Sequence, residues 1–570
     1  MLLIFFYWSY LFILTSSFGI LLKKIVNINP VSPFITPILG SFFITVLASI
    51  VALFYKLDVV FESLLAIISI ILILIYKKES KIYIKKLKNH FSSFSKLFKI
   101  LFITVFILAL AQSASAPYLI DNESYYIHSI KWLDYYGLVP GLANLHFFLS
   151  QMSPWHILQS ATNLNFAYSN FNDLSGFYLV LGNAYAFFFL NRYFRTRQFT
   201  DLLIGLFPIS NVFLFQFIGA PSPDIGIYIC FLILTSEFIK GYYSKNNLCI
   251  VSLFIISFFA IYIKITAILY VVFPLILLLK YRKDVLLITK KEVFKIILIG
   301  ITTLILFIIK NTIITGFTLY PITSFDILSV DWKLPIQVSL FLTEQTRLAD
   351  FLMTADTYKN ASYLDVFIQW LTLPKLDGIF NLVMCLLLFI LPLVIYKSKH
   401  RKLLLILYAL SVLQMVWLLS TSPQYRFFFM FFLLLLSVLI ALIVSNKKLI
   451  KIGVIISVIA IAIPLFFSFN LNQFTDSKFH QNSSVFSVHY FIKPHKSTRY
   501  PNLEFTKFKA GSTHFYTPNA MEFFWGTGDG PLPTINRVQF DYFETYFKVI
   551  PQQRGQNLKD GFYSKHVPND

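Results

Sequence analysis

The sequence predicts an all-α polytopic membrane protein of about 14 transmembrane helices, with a small mixed α/β extracytoplasmic domain at its C-terminal end. Three observations carry that prediction. The 570 residues are 57% hydrophobic and 18% aromatic but only 13% charged, about half the charged share of a soluble domain. Apolar runs of about 18 to 20 residues, the length that crosses a hydrocarbon core of about 30 Å, recur along most of the chain. The stretch from Leu471 to Asp570 breaks with this composition, being polar and aromatic with Gly and Pro punctuation such as "GTGDGPLP" at Gly526 to Pro533.

The apolar runs fall near residues 2–22, 31–55, 59–76, 99–116, 173–190, 201–218, 224–240, 248–263, 265–280, 293–310, 378–396, 403–420, 426–444 and 450–468. Lys264 divides the eighth from the ninth. The first run lacks a basic leader and a small-residue cleavage site, so it reads as a span and not as a cleaved signal. Basic residues cluster in alternate loops: Lys23 and Lys24, Lys77 to Lys99, Arg192 to Arg197, Lys240 and Lys245, Lys280 to Lys295, Lys397 to Lys402, Lys447 to Lys451. The positive-inside rule makes these loops cytoplasmic, and it turns the net charge of +21 into an orientation signal instead of a nucleic-acid surface. The run Lys77 to Lys99 also has the charge to meet anionic head groups.

The opposite face then receives both termini, loop 117–172, turn 219–223, Lys264, loop 311–377, turn 421–425 and the tail. Three units follow: N-terminal accessory helices and a basic loop over 1–98, a transmembrane core over 99–469, and the extracytoplasmic domain over 470–570, strand-prone around "RVQFDYFETYFKVI". Cys230, Cys249 and Cys385 all lie in apolar runs, which leaves no disulfide framework and no CxxC metal motif.

Loop 117–172 opens with "LIDNESYYIHSIKWLDYYG" (Leu119 to Gly137). Tyr126, Ile130 and Leu133 share a helical face there, so an amphipathic helix is expected, stopped by Gly137 and Pro140, with a second short helix within 151–165. His128 and Asp134 read as solvated charges on that helix. Asp121 and Glu123 read differently, because acids at the mouth of a membrane bundle are usually functional when other charges converge on them. Those other charges come from distant parts of the chain. Asp224 in "PSPD" is either a helix N-cap or a substrate ligand. Lys264 is alone in about thirty apolar residues, and either snorkels to the head groups or binds an anion. Asp331, Trp332 and Lys333 suit sugar or phosphate contact, or plain loop packing. Arg426 in "SPQYRF" offers a bidentate phosphate clamp or snorkels in its turn. An acid and cation site at a lipid–water boundary fits a substrate that is itself half lipid, such as a polyprenyl phosphate carrying a sugar.

The order of these features resembles the GT-C superfamily of integral membrane glycosyltransferases, with "LIDNESYY" similar to their acidic motif in the first large outer loop. "YIHSIKWLDYYGLVPGLANLHFFLSQMSPW", "APSPD", "KITA", "KNTIITGFTLYP", "DWKLP" and "SPQYRF" resemble a bacterial family of uncharacterised polytopic membrane proteins of that type, and "PLPTINR" and "RGQNLKDGF" extend the likeness into the tail. The acids stand as "DNE" where better-known relatives have them adjacent, and three spans precede this loop where one is usual. The resemblance implies an inverting glycosyltransferase of the bacterial inner membrane, acting outside the cytoplasm on membrane lipids. Its donor is a polyprenyl-phosphate-linked sugar and its acceptor a glycan, lipid or protein. Asp121 is then the base, Glu123 its helper or a metal ligand, Lys264 and Arg426 the phosphate site, and His128, Asp224, Asp331, Trp332 and Lys333 substrate contacts. No cofactor is required, although a divalent metal (Mg or Mn) is compatible with the acids. A transporter or flippase, or a polymerase or ligase of lipid-linked saccharides, is the alternative.

Overall fold

The computed structural model describes all residues except 29–31, 170–172, 245–246, 283–288, 445, 476–481 and 569–570. Lys245, part of the basic run between Lys280 and Lys295, and the end of loop 117–172 therefore lie outside the described residues. The chain is mostly helical. Its helices are α1 (Leu2–Val26), α2 (Thr36–Ala52), α3 (Val59–Ile75), α4 (Lys77–Ser92), α5 (Lys96–Ala114), α6 (Ile127–Tyr136), α7 (Leu142–Leu145), α8 (Pro154–Ala161), α9 (Asp173–Thr196), α10 (Phe199–Gly205), α11 (Asn211–Leu214), α12 (Pro223–Tyr243), α13 (Asn247–Ile263), α14 (Val272–Lys280), α15 (Lys290–Thr315), α16 (Ile336–Phe351), α17 (Ala355–Asn360), α18 (Tyr363–Leu371), α19 (Lys375–Tyr396), α20 (Arg401–Ser420), α21 (Tyr425–Ile443) and α22 (Lys447–Phe466).

The fourteen apolar runs all fall on helical segments, but among the described residues eleven are long and apolar enough to cross a membrane. The differences have local causes. α3 ends at Ile75 and its continuation α4 leaves at 92°, because the sequence switches at Lys77 from isoleucines to lysines. α13 and the segment Ile265–Lys280 are shorter apolar helices on either side of Lys264, which is extended and interrupts the helical hydrogen bonding. The outward faces of the long helices are apolar and bare: Ile70, Leu74, Phe389, Leu393 and Ile456 are all exposed, as in a surface made for lipid and not for water. Between helices the approach is close. Gly40 of α2 lies against the backbone of Thr15 in α1, where any Cβ would collide, the small-residue contact by which helices pack without a hydrophobic driving force.

The bundle has two chemically distinct ends. At one, the basic loops are tied together by Lys24–Glu79, by Asn191 and Arg195 donating to the Ser93 carbonyl, by Lys447 on the Phe194 carbonyl and by His400 against Phe199 and Tyr243. At the other lie residues 117–165, turn 219–223, Lys264, the segment 316–374 and the tail. There α8 supplies the second short helix expected within 151–165, and the first amphipathic helix is α6, entered through a π-helical turn over Asn122–Tyr126.

The tail is mixed, as the composition predicts. β1 (Phe505–Ala510) pairs antiparallel with β2 (Thr513–Pro518), and β3 (Val549–Gln553) with β4 (Phe562–His566). The strand expected at "RVQFDYFETYFKVI" is corrected: Arg537–Phe547 is helix α23. Its aromatics occur so densely that they satisfy both periodicities. Asn536 decides the matter by accepting the Val538 N–H at the N-terminus, and Phe540 and Phe543 then turn inward. Only Val549 onward is strand. The tail packs on the loops at this end of the bundle instead of hanging from them. Gly141, at φ +68°, sits against the Phe562 carbonyl, so this loop position needs both the left-handed backbone and the missing side chain.

Candidate functional site

Four charged side chains from four chain segments meet at the loop end of the bundle. Asp121 Oδ2 pairs with Arg426 Nη1 at 3.0 Å, and Asp224 Oδ1 with Lys264 Nζ at 2.6 Å. The Phe427 ring joins the two pairs: Lys264 Nζ stands 4.3 Å and the Arg426 guanidinium 5.2 Å from its centroid, a cation–π platform that holds two like charges near each other.

Local sequence places each member. The π-helical turn after Asp121 adds a residue to the turn and brings Tyr126, five positions on, beneath it, with the Tyr126 hydroxyl 3.4 Å from Asp121 Oδ2. Ser222, not Asp224, is the N-cap of α12, its hydroxyl accepting the Asp224 N–H at 3.3 Å. Asp224 is thereby left in the first helical turn, where the helix dipole favours its charge, and its carboxylate is free to meet Lys264. Lys264 is set by the break between α13 and the following turn, and Ser153 of α8 fixes that break by donating to the Ile263 carbonyl at 2.6 Å.

Arg426 opens α21 and is held by groups that sequence reasoning missed. Its Nε donates to Gln424 Oε1 at 2.7 Å. Gln424 in turn donates to Asp350 Oδ1 at 2.7 Å, and Ser422 to Asp350 Oδ2 at 2.5 Å. Trp370 Nε1 donates to the Pro423 carbonyl at 2.9 Å. Burial pushes the Asp350 carboxyl above its ordinary value, against the pull of Ser422 and Gln424. Gln424 was legible as a polar residue two before Arg426; Asp350 sits in α16 with no such signal.

The two pairs differ in access. The Asp224 side chain is 2% exposed, whereas Asp121 and Arg426 keep 28% and 33%. A ligand therefore meets Asp121 and Arg426 first, with Lys264, at 23%, behind them.

The remaining predicted residues lie elsewhere. Glu123, expected beside Asp121, is corrected: it faces the tail. Its carboxylate accepts from Thr498 Oγ1 and the Arg499 N–H at 2.8 Å each and from Asn122 Nδ2 at 3.1 Å, while its carbonyl receives the N–H groups of Thr527 and Gly528. Residues two apart on a helix point to opposite sides, so one acid could reach the bundle cations only if the other did not. Burial raises the Glu123 pKa despite those donors. His128 and Asp134, expected in solvent, are both buried. Burial, aided by Lys131, holds His128 well below its ordinary value. Asp134 accepts from Ser160, Asn163 and Asn165, yet burial pushes it up to about 7. Asp331 and Trp332 serve loop–tail packing: Arg554 grips Asp331 through Nε and Nη2 at 2.7 and 2.9 Å and lies 4.7 Å over the Trp332 ring, and Arg554 draws the Asp331 pKa down. Lys333 pairs with Asp326. None of the three is placed with the four-charge cluster. Among the described residues no three His, Cys, Asp or Glu side chains gather where they could hold a metal ion; Asp121 and Asp224 each face a protein cation.

No curated protein and no solved structure matches this chain. A family model matches residues 1–433, a stretch that contains Asp121, Asp224, Lys264 and Arg426 and leaves out the tail. The chain therefore belongs to the family described as Domain of unknown function (DUF8201).

Proposed function

We propose that this chain is an integral membrane glycosyltransferase that moves a sugar from a polyprenyl-phosphate donor to a glycan, lipid or protein acceptor outside the cytoplasm. The observation that carries the reading is the convergence of one open acid–cation pair and one enclosed pair over a shared phenylalanine, at the end of an apolar bundle. An acceptor hydroxyl is a poor nucleophile until a base within hydrogen-bond reach takes its proton. Asp121 is the exposed carboxylate of the cluster and takes that role. As the acceptor oxygen attacks the anomeric carbon, the bond from that carbon to the phosphate oxygen breaks, and the lipid phosphate leaves with the electron pair. Lys264 and Arg426 are placed in advance for the charge that develops on it. A single displacement inverts the anomeric centre.

The resting ion pairs then have a function of their own. With the site empty, Asp121 neutralises Arg426; an arriving phosphate competes for the guanidinium and releases Asp121 to act as base. The base is thereby switched on by the donor. Asp224 stays with Lys264 and keeps that cation oriented. A transporter of lipid-linked saccharides would carry charged groups at mid-bilayer depth; the central turns of the eleven long apolar helices hold no Asp, Glu, Lys, Arg or His.

The test is complementation of surface glycan in a deletion strain of the native host by Asp121→Asn and by Lys264→Ala, with membrane levels checked by blot. Loss of the glycan by both variants at normal abundance is expected. Full restoration by both would overturn the enzymatic reading and favour a transporter of lipid-linked saccharides.

A further inference from the structure

At the end of the bundle opposite the four-charge cluster, α4 encloses a cavity that no step of the proposed reaction uses. α4 carries six lysines against one glutamate, and it leaves α3 at 92°. It is pinned to the bundle by Tyr83, whose hydroxyl meets Ser16 at 3.0 Å, and by Glu79, which pairs with Lys24. Between these pins and the bundle lies a space of about 320 Å³, lined by Phe12, Phe34, Leu87, Phe91, Phe94 and Phe102, with Lys88 as its charged member. The rings form a cage: Phe91 and Phe94 each pack against Phe102, and Phe34 against His90.

The chemistry of this place is two-sided. Its wall is hydrocarbon and aromatic, so it has no use for water or for a polar solute. Its mouth is cationic, since Lys88 is exposed and Lys81, Lys85 and Lys86 stand along the same short helix with their ammonium groups outward; their one acidic neighbour on α4, Glu79, is already paired. A ligand that fills it must be apolar at one end and anionic at the other. We propose that α4 and this cavity form a binding site for an anionic phospholipid of the cytoplasmic leaflet, with part of one acyl chain inside the aromatic cage and the phosphate at Lys88.

The inference rests on the membrane reading of the chain but not on the transferase reading, because site and cavity lie at opposite ends. At about 320 Å³ the space is at the small end of the roughly 300–1,000 Å³ range of ligand pockets, so it admits a chain end and not a whole lipid. Charge alone would draw anionic lipid to any lysine of α4; the cage singles out Lys88 and makes the site saturable.

Carbonate extraction of membranes containing the full chain comes first: release into the soluble fraction would defeat the membrane reading itself. The purified full chain in maltoside detergent is then titrated with phosphatidylglycerol or with phosphatidylcholine of the same acyl chains, and bound lipid is counted by native mass spectrometry. The expected result is one retained phosphatidylglycerol, held at least tenfold more strongly than phosphatidylcholine. Lys88→Gln or Phe102→Trp, which crowds the cage, should each weaken it severalfold, and Lys85→Gln should leave it unchanged. Equal retention of the two lipids, or equal loss in Lys85→Gln and Lys88→Gln, would overturn the site and leave only diffuse attraction. Thermal melting of each variant without added lipid separates a lost site from a misfolded chain, and Lys88→Arg, if folded, should restore binding.

Discussion

The two faces of the segment from Asp121 to Tyr136 have the same residue types and opposite fates. On the bundle face, Asp121 meets Arg426 in a pair that stays about one-third open. On the tail face, Glu123 is sealed by Thr498, Arg499 and Asn122, and Lys131 by Asp529 and the Gly530 carbonyl. Both faces hold carboxylates near cations or donors, yet one is fully consumed by the protein and the other is held by one open ion pair and a long Tyr126 contact, which a ligand can displace. An acid that works on substrate needs the second arrangement. Saturated hydrogen bonding marks an anchor; a displaceable partner marks a site.

The comparison breaks most visibly at Asp121. Asp121→Asn keeps the shape and removes the proton acceptor, so transfer measured on isolated membranes should fall by about 10²–10⁴-fold, the share of a positioned general base. Melting should barely move, because an open ion pair contributes about 0–1 kcal/mol. A variant that melted several degrees lower while keeping its activity would reverse the assignment of the two faces.

The enclosed pair should behave otherwise. Asp224→Leu alone strands Lys264 beside an apolar ring; stranding a fully buried charge costs about 3–5 kcal/mol, and Lys264, 23% exposed, should cost somewhat less, about 3 kcal/mol. The double variant Asp224→Leu with Lys264→Met removes both charges and should recover most of that stability without recovering activity. Chemical denaturation of the three proteins in detergent reads the first effect, and glycan restoration the second. If the double variant were as unstable as the single one, the pair would not be the origin of the loss.

On the tail face, Glu123→Ala removes the acceptor of three hydrogen bonds. Two of the three donors, Thr498 and Arg499, belong to the tail, so at roughly 1 kcal/mol for each donor left unsatisfied the docking of the tail should weaken by about 2 kcal/mol. Limited proteolysis should then cut near residues 497–500 and 526–530 in the variant and spare them in the wild type, with little change in Asp121 chemistry while the tail remains docked. Unchanged protection would show that the apolar contacts around Trp525 hold the tail by themselves.

These contrasts also show what the sequence can carry. The helical bundle was legible because apolar runs are local, and the convergence of Asp121, Asp224, Lys264 and Arg426 on one end followed from alternating basic loops, a topological argument that needs no distances. The facing of side chains was not legible. Asp121 and Glu123 stand two residues apart, and the π-helical turn that separates them leaves no mark in composition. His128 and Asp134 look solvated in an amphipathic pattern because the pattern does not know what covers them: the tail at Thr527 and Gly528 for His128, and Ser160, Asn163 and Asn165 for Asp134. Asp331 and Trp332 carried both readings, and Arg554, more than two hundred residues away, decided between them. The turn of α4 fell where lysines begin, a visible boundary, but its angle depends on Tyr83 reaching Ser16.

The smallest effect at neutral pH concerns the histidines of loop 117–172. Burial pushes His146 down to about 4 and His156 to about 3, so both are neutral in the folded chain at neutral pH and protonate near 6.5 only when unfolded. The unfolded state binds more protons in the window from about 6.5 down to these values, and stability is therefore lost as pH falls through it. From pH 7 to pH 5 each of these two histidines should cost about 2 kcal/mol. Asp134 works in the opposite direction: its folded pKa of about 7 lies above the unfolded value, so its contribution grows as pH falls. The total slope thus mixes both signs, and the useful quantity is a difference between proteins. His156 Nδ1 accepts the Ser153 N–H in the capping box of α8, a bond that glutamine at the same position can keep. His156→Gln should therefore melt like the wild type at pH 7.5 and be more stable than it by about 2 kcal/mol at pH 5. Parallel melting curves for the two proteins across that range would mean that His156 is reached by protons in the folded state, and that the loop around Tyr126 and Asp121 is open to water on that side.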